Sequence, residues 1–204
     1  MIILDKNDYT IYISEKEDTT ARGIPGFVYA RQTHGDSLYI LDQRLESIAS
    51  EHDWIISKIW NIKVWVLLAD CNGIVIMWKT WYSVVHAWRK WLQNNIVTKA
   101  LHALKNNGEN MHSCKVYIGP SIRQCCYEVG EEFLGYFDKK YFMDRDWRLY
   151  FDMIAVLKDT LCNAWILLEN IEINQYCTSC SWKFFSYRNN NNNQRFIVAV
   201  EKKE

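Results

Sequence analysis

Apolar runs separated by polar turns predict a chain rich in strands. The runs from residue 63 onward contain Val, Ile, Leu and Trp without polar alternation, a pattern that indicates strands buried on both faces. The shorter runs before residue 45 are separated by polar turns. The predicted strands lie at 10–14, 26–30, 37–41, 63–69, 73–78, 82–86, 114–118 and 195–201.

Helical periodicity is clearest over residues 91–106, which end at the stop signal Asn106-Asn107-Gly108. Shorter helices are predicted at 130–138 and 152–164. Strands mixed with a few helices, without strict alternation, predict an α+β fold with mixed β-sheets flanked by helices. The length of 204 residues suits a single domain over 1–204.

Charge and hydropathy exclude several classes of partner. Lysine plus arginine and aspartate plus glutamate number 24 each, so no global field attracts nucleic acid or an anionic membrane. No uncharged apolar run approaches the roughly 18 residues of a membrane span, and the polar start of the chain lacks a secretory signal. We therefore expect a cytoplasmic protein with a small-molecule or protein partner.

The seven cysteines show no disulfide rhythm, which favours buried thiols with one or two chemically active members. Cys125 and Cys126 are adjacent and cannot form an ordinary bridge without strain. Cys177 and Cys180 form a lone C-x-x-C, and no second pair follows at finger-like spacing. The spacing therefore argues against a separate structural zinc site there.

His34, Cys71 and His86 each stand at the edge of a strand-like run. Two imidazoles and a thiolate can hold zinc while leaving a fourth position open, as catalytic zinc requires. Cys71 could instead be a nucleophile activated by a histidine, or a small buried residue. His86 could equally satisfy a hydrogen bond in the core.

Other polar residues near these runs have two interpretations each. Asp70 could orient an imidazole or cap a turn, and Glu128 could act as acid or base or begin a helix. Arg188 follows two aromatics and suits phosphate, but it could also extend from a packed strand. The asparagine run 189–193 predicts a polar surface loop.

Taken in order, the motifs resemble those of the YfiH-type family, also called the laccase-domain or purine nucleoside phosphorylase family. The resemblance covers nearly the whole chain, and the ordered set is far more specific than any one motif. The matching segments are Gln32-Thr33-His34-Gly35, Ala69-Asp70-Cys71, His86-Ala87, Gly119-Pro120-Ser121-Ile122, Tyr127-Glu128-Val129-Gly130, Cys177-Thr178 and Phe184-Phe185-Ser186-Tyr187-Arg188.

This resemblance implies a zinc site formed by His34, Cys71 and His86. It also implies phosphorolysis of adenosine, inosine and methylthioadenosine, together with deamination of adenosine. Copper has been reported for the family, and some bacterial members are linked to peptidoglycan editing. A multicopper centre suits this chain poorly, because five histidines are too few to ligate several coppers.

The chain departs from the family pattern mainly where glycine is usual. Trp88 and Trp91 occupy both glycine positions of the H-A-G-x-x-G motif, and Trp165 stands where glycine precedes an apolar pair. Glycine permits positive φ and close backbone approach, which an indole does not. The ligands are therefore retained better than the loop that should contact phosphate.

The leading hypothesis is a zinc-dependent purine nucleoside enzyme, monomeric or homodimeric, that binds a nucleoside and phosphate. Cys71 and His86 would act as catalytic ligands, and Asp70 or Glu128 would carry the proton. The remaining contacts with the nucleoside and phosphate would come from Gln32, Arg89, Tyr127, Phe185 and Arg188.

Two alternatives belong to other classes. One is a Cys-His hydrolase acting on an amide or cell-wall peptide bond, with Cys71 as nucleophile and His86 as base. The other is a non-catalytic protein with a structural or vestigial metal site, which the indoles of Trp88 and Trp91 would favour by filling the pocket.

Overall fold

The structure is a computed structural model that describes residues 1–18, 27–35, 37–45, 50–90, 97–98, 101, 105, 108–190 and 193–204. Its first eight strands are β1 (Ile2–Asp5), β2 (Tyr9–Ile13), β3 (Phe27–Val28), β4 (Leu38–Leu41), β5 (Trp54–Ser57), β6 (Lys63–Leu68), β7 (Asn72–Met77) and β8 (Tyr82–Ala87). The others are β9 (Lys115–Ile118), β10 (Glu128–Val129), β11 (Phe142–Arg145), β12 (Arg148–Phe151), β13 (Ile171–Ile173) and β14 (Phe196–Lys202). The α-helices whose two ends are both described are α1 (Met153–Asn163) and the single turn α2 (Tyr187–Asn190).

The strands form three sheets. The first has five strands in the order β1-β2-β14-β6-β3, and the second has six in the order β13-β9-β7-β8-β5-β4. A small third sheet has the order β10-β12-β11. Most pairs are antiparallel, but β3 with β6, β4 with β5, and β9 with β13 are parallel. The predicted α+β fold with mixed sheets is confirmed.

The two large sheets pack face to face around a shared core. Ile11 and Val198 from the five-stranded sheet belong to the same buried cluster as Val75 and Val84 from the six-stranded sheet. The opposite face of the six-stranded sheet is covered by α1. Every position of β7 and β8 is buried, which explains why their sequences show no polar alternation.

Helix α1 confirms the helix predicted at 152–164. The Asp152 carboxylate caps its start by accepting a hydrogen bond of 2.9 Å from Ala155 N, which satisfies one of the unpaired N–H groups of the first turn. Four residues at helical spacing form its buried face: Met153, Val156, Leu157 and Leu161.

The helix predicted at 130–138 is wrong. Glu131–Gly135 forms a 3₁₀ turn, and a second 3₁₀ turn, Lys139–Tyr141, is capped by Asp138, whose side chain accepts from Lys140 N. Within the first turn only Phe133 is buried, so the segment lacks the continuous apolar stripe that stabilises an α-helix.

The helix predicted at 91–106 lies largely outside the described residues, as do residues 191 and 192 of the asparagine run. Val97 and Leu101, two of the described positions, are buried in the core beneath the six-stranded sheet. The start of the asparagine run belongs to α2 rather than to a loop. The predicted strand at 26–30 is reduced to β3, and residue 26 is not described.

Six short strands were not predicted, namely β1, β5 and β10 to β13, each with two to four residues. Runs this short carry little periodic signal. Among the described helical residues, none belongs to a helix long and apolar enough to cross a bilayer. The single domain over 1–204 stays a prediction.

Candidate metal centre and the cavity around it

Three separate elements bring His34, Cys71 and His86 together. His34 lies in the loop between β3 and β4, Cys71 in the turn between β6 and β7, and His86 within β8. Their potential ligand atoms all lie within 4.8 Å of one another. The two imidazole rings meet edge to face, with centroids 4.7 Å apart. The structure therefore brings together the three residues that the sequence singled out.

The backbone around this centre adopts conformations that few residues tolerate. His34 has a φ of 59°, and Asp70, which precedes Cys71, has a φ of 86°. Side chains in this left-handed region raise the energy unless neighbouring contacts hold them there. Both positions have such contacts. The Asp53 carboxylate bonds the backbone at His34, and the carboxylate of Asp70 itself bonds neighbouring segments.

Asp53 is the first of these aspartates, and sequence reasoning missed it. It is fully buried beside the start of β5, and its carboxylate accepts hydrogen bonds from the backbone N–H groups of Thr33 (3.2 Å), His34 (3.1 Å) and Gly35 (2.7 Å). The same carboxylate lies 2.7 Å from Nδ1 of His86. One side chain thus fixes the His34 loop and orients the His86 ring.

The contact with Asp53 also decides which nitrogen of His86 is available. A carboxylate at Nδ1 favours a proton on that atom, which leaves Nε2 for a metal or a nucleophile. Burial raises the pKa of Asp53, but the hydrogen bond and charge of His86 outweigh burial, with further help from the Gly35 and Thr33 amides, and lower that pKa. Asp53 is therefore an ionised orienting group.

Cys71 and His86 perturb each other strongly. Burial alone would raise the pKa of the Cys71 thiol, but His86 and His34 outweigh burial and lower that pKa to about 7. Burial disfavours the charged form of His86, yet Cys71 and Asp53 raise the pKa of His86 to about 9. The thiolate is thus accessible near neutral pH, as both metal ligation and nucleophilic attack require.

Asp70 is the second aspartate, and it holds loops rather than an imidazole. Its carboxylate accepts from Thr178 Oγ1 at 2.6 Å and from Arg188 N at 2.7 Å. Its backbone carbonyl accepts from Ile122 N at 3.0 Å. Asp70 therefore joins the Cys71 turn to two distant segments, and the orienting role considered for it belongs to Asp53.

A cavity of about 1040 Å³ opens beside the three candidate ligands. Arg89, Arg188 and Arg195 are among its lining residues, with Tyr127 and Glu128 on the same wall. Arg188 Nη1 donates to the Glu128 carbonyl at 3.0 Å, and its guanidinium lies 5.5 Å from the Tyr127 ring. Guanidinium groups around a cavity suit an anionic ligand.

The other predicted contact residues have different surroundings. The Gln32 side chain lines the cavity but also bonds the backbone of Leu67 twice, at 2.9 Å and 2.6 Å. The Glu128 carboxylate pairs with Arg148 at 3.1 Å. Phe185 does not lie at the cavity; its ring packs against the core, with Lys16 Nζ 6.0 Å from its centroid. The structure gives Phe185 a packing role.

Trp88, at a family glycine position, forms part of the cavity wall. Its ring lies edge-on to His34 with centroids 5.1 Å apart, and the Arg89 guanidinium lies 5.4 Å from the Trp88 ring. The indole therefore covers one flank of His34 while the cavity stays open. Trp91 lies outside the described residues.

Comparisons with known proteins identify the family and the fold of this chain. The family model described as multi-copper polyphenol oxidoreductase laccase matches residues 11–201. A purine nucleoside phosphorylase of Aquifex aeolicus is 33% identical over 83% of this chain and 79% of that protein. Adenosine deaminase RL5, from an unknown prokaryotic organism, is 26% identical over 79% of this chain and 69% of that protein.

Two solved structures share the fold. The Neisseria meningitidis protein NMB0706 superposes with a TM-score of 0.82 at 15% identity, covering 100% of this chain and 99% of that one. Bacillus licheniformis YfiH superposes with a TM-score of 0.78 at 22% identity, covering 87% and 74%. The chain therefore belongs to the YfiH-type family, whose family model is described as multi-copper polyphenol oxidoreductase laccase.

Proposed function

We propose that this chain is a zinc-dependent enzyme that phosphorolyses adenosine, inosine and methylthioadenosine and deaminates adenosine. The observation that carries the proposal is the convergence of His34, Cys71 and His86 at the edge of an arginine-lined cavity. The names of the relatives, a purine nucleoside phosphorylase and an adenosine deaminase, supply the substrate class.

The donor set fits zinc better than a group of coppers. Two imidazoles and one thiolate leave a tetrahedral zinc with an open position, and the cavity adjoins all three donors. His52 and His112, the other described histidines, lie apart from this group. When bound, zinc supplies Lewis acidity and lowers the pKa of a coordinated water.

The arginines provide the proposed phosphate site. Arg89 and Arg188 face the same cavity, and among the described residues nothing accepts a hydrogen bond from the buried Nε of Arg89. A buried donor without a partner costs free energy unless a ligand or water satisfies it. Phosphate oxygens would satisfy it and bring the nucleophile of phosphorolysis into the cavity.

The proposed base contact and proton carrier are adjacent in the chain, with Tyr127 directly before β10 and Glu128 its first residue. The Tyr127 ring contacts the rings of Phe133 and Phe151, and Tyr127 lines the cavity. Glu128 is the better candidate for proton transfer, because its carboxylate is half-exposed at the cavity and, among the described residues, forms one ion pair, with Arg148. Both oxygens of Asp70 are already engaged by Thr178 and Arg188.

A second candidate function rests on one specific observation. Cys71, His86 and Asp53 have the order of contacts found in cysteine hydrolases: a thiolate beside an imidazole, and a carboxylate at the other ring nitrogen. In that case Cys71 would attack an amide or cell-wall peptide bond, and the metal-free protein would be the active form.

The test incubates the purified protein with adenosine, inosine and methylthioadenosine, with and without phosphate, and measures bound zinc. We expect phosphate-dependent release of free base, formation of inosine from adenosine, and loss of both on chelation. His86→Ala should abolish them, whereas His112→Ala, an exposed histidine outside the triad, should retain them.

The alternatives predict different results. Activity on an amide that survives chelation would favour the cysteine hydrolase. A zinc-loaded protein that turns over no nucleoside at high concentration would favour a non-catalytic role. Equal base release by His86→Ala would contradict the assigned site.

A further inference from the structure

Four cysteines converge outside the candidate active site. The Sγ atoms of Cys125, Cys126, Cys177 and Cys180 all lie within 4.8 Å of one another, and those of Cys125 and Cys180 are 3.9 Å apart. In a zinc tetrathiolate with Zn–S bonds of about 2.3 Å, tetrahedral geometry places neighbouring sulfurs about 3.8 Å apart. The observed spacing suits one ion shared by four ligands.

Backbone pairing between two distant segments produces this cluster. Ser121 and Cys177 form an isolated parallel bridge, and Thr178 N donates to the Ser121 carbonyl at 3.0 Å. The chain then turns at 123–126, where Cys126 N donates to the Arg123 carbonyl at 2.9 Å. These bonds fix the approach of the C-x-x-C segment to the adjacent cysteine pair.

Cys177 is surrounded by donors, as a metal-bound thiolate requires. It is buried, and Arg123 N donates to its Sγ at 3.4 Å. The backbone N–H groups of Cys180 and Ser179 lie near enough to favour a negative charge on this sulfur. Hydrogen bonds from second-layer groups to a ligand atom orient it and stabilise its charge.

The guanidinium of Arg123 supplies a compensating positive charge. A tetrathiolate zinc centre carries a net charge of about −2, since four thiolates surround a divalent ion. Arg123 lies partly buried beside Cys125 and Cys177, and its Nη2 is anchored on the Gly119 carbonyl at 3.2 Å. A partly buried cation next to the cluster favours its anionic, metal-binding form.

We propose that Cys125, Cys126, Cys177 and Cys180 form a second, structural zinc site. All four positions would be filled by thiolates, so this ion would have no open position for substrate or water. Its role would be to join the two segments that carry Tyr127 and Glu128 on one side and Arg188 on the other, which form one wall of the cavity.

A disulfide explains the cluster less well. A redox pair needs two cysteines, and an adjacent pair such as Cys125 and Cys126 cannot bridge each other without strain. All four thiols are free in the structure. Four free thiols within one ion's reach, with amide donors on the buried member, match a metal centre.

The first test counts zinc per chain in protein purified under reducing conditions. We expect two equivalents in the full chain, and one each in Cys71→Ala and in the double variant Cys125→Ser with Cys180→Ser. Cys162→Ser replaces an exposed cysteine outside both groups and should keep two. Unchanged zinc content in the double variant would overturn the proposal.

The second test leaves all four cluster cysteines in place, so it does not depend on the folding of the double variant. Cobalt replaces zinc, and the visible spectrum is recorded on the full chain and on Cys71→Ala. We expect the intense thiolate-to-cobalt bands of a four-sulfur site in both proteins. Bands that vanish in Cys71→Ala, bound iron in place of zinc, or a Cys125–Cys180 disulfide without metal would each contradict the proposed site.

This inference does not rest on the proposed nucleoside activity. If no nucleoside is turned over while the double variant still loses one zinc, the proposed function fails and the second site stands. If nucleosides are turned over and the double variant keeps its full zinc content, the second site fails and the function stands.

Discussion

Asp53 connects two candidate ligands through a single carboxylate. Three backbone N–H groups of the His34 loop and Nδ1 of His86 share its two oxygens. Residues that orient metal ligands in this way govern affinity without touching the metal. Asp53 is thus a positioning residue whose removal would affect both histidines at once.

Asp53→Asn should weaken zinc binding at the His34–Cys71–His86 site by about 10–100-fold. An amide at this position turns an NH₂ group toward backbone donors and no longer stabilises a proton on His86 Nδ1. Competition with a chromogenic chelator measures the affinity. Asp144→Asn, an exposed aspartate on β11, is the matched control, and an equal loss in both variants would contradict the role.

Two tryptophans occupy backbone conformations that favour glycine. Asp146 and Trp147 have φ values of 53° and 60° in the two-residue turn between β11 and β12, and Trp165 has a φ of 70° after α1. Asp-Gly is the usual sequence for such a hairpin turn. The Trp147 side chain is 99% exposed, so little packing offsets the strain.

Trp147→Gly and Trp165→Gly should each stabilise the fold by about 1 kcal/mol, because left-handed backbone costs roughly that much for a residue with a Cβ. In a domain of this size the melting temperature should rise by about 2–4 °C per substitution. Trp182→Gly is the control: this side chain is also exposed, but its φ is not positive. A gain in the control equal to that of the two variants would point to removal of apolar surface instead.

The sequence singled out the three candidate ligands, which the structure brings together, but not the residue that orients them. His34, Cys71 and His86 stand out because each is a metal-binding residue type at the edge of an apolar run. Asp53 precedes a strand of only four residues, β5, and nothing in its local pattern distinguishes it from a turn aspartate. The signal in the sequence is limited to the position of Asp53 directly before the apolar run Trp54-Ile55-Ile56.

At the scale of elements, Asp70 joins three segments near the candidate metal centre. The turn between β6 and β7 is tied to the segment at 178–188 by two hydrogen bonds to one carboxylate. The same turn accepts a bond from Ile122 N. The cavity wall therefore depends on contacts between parts of the chain more than 50 residues apart.

Asp70→Asn should loosen the segment from 178 to 190 and leave zinc bound at the triad. Asparagine tolerates positive φ, so the substitution tests the side-chain hydrogen bonds and not the backbone strain. Losing one acceptor of a charge-assisted bond costs about 1.5–3 kcal/mol, and limited proteolysis should cut this segment faster. Loss of nucleoside turnover with unchanged proteolysis would instead indicate proton transfer by Asp70.

The cysteine cluster shows why element-level contacts escape local patterns. Each half, an adjacent pair and a lone C-x-x-C, is weak evidence for a metal site. The bridge between Ser121 and Cys177 that joins them is a tertiary pairing, which neither spacing nor periodicity reveals. The long strands and α1, by contrast, were predictable because each extends over enough residues to show its period.

At the scale of the whole molecule, the two large sheets pack tightly at Gly73 and Gly119, where an added Cβ would lie 3.0 Å and 3.1 Å from the Val198 side chain. A Cβ on Gly73 would lie 2.6 Å from Leu68 Cδ1 and 3.0 Å from Val198 Cβ. Gly73 also pairs with His86 across β7 and β8. Sheet packing and the position of a candidate ligand are thus set at the same point.

Gly73→Ala should destabilise the protein by about 1–3 kcal/mol, since a methyl group must be accommodated between packed sheets. Thermal unfolding measures the change. Gly135→Ala is the control, because a Cβ there would meet nothing within 4 Å. Similar melting temperatures for both variants would show that the sheets can separate slightly at no cost.

Strand β14 lies in the middle of its sheet, between β2 and β6, although it follows every other described strand along the chain. During synthesis, β2 and β6 therefore leave the ribosome long before the strand that separates them. Their facing edges stay unpaired until residue 202 has emerged, and open edges invite pairing with other chains. This layer of the fold is thus completed only when β14 emerges, and the nascent chain exposes two strand edges that can pair with other chains until then.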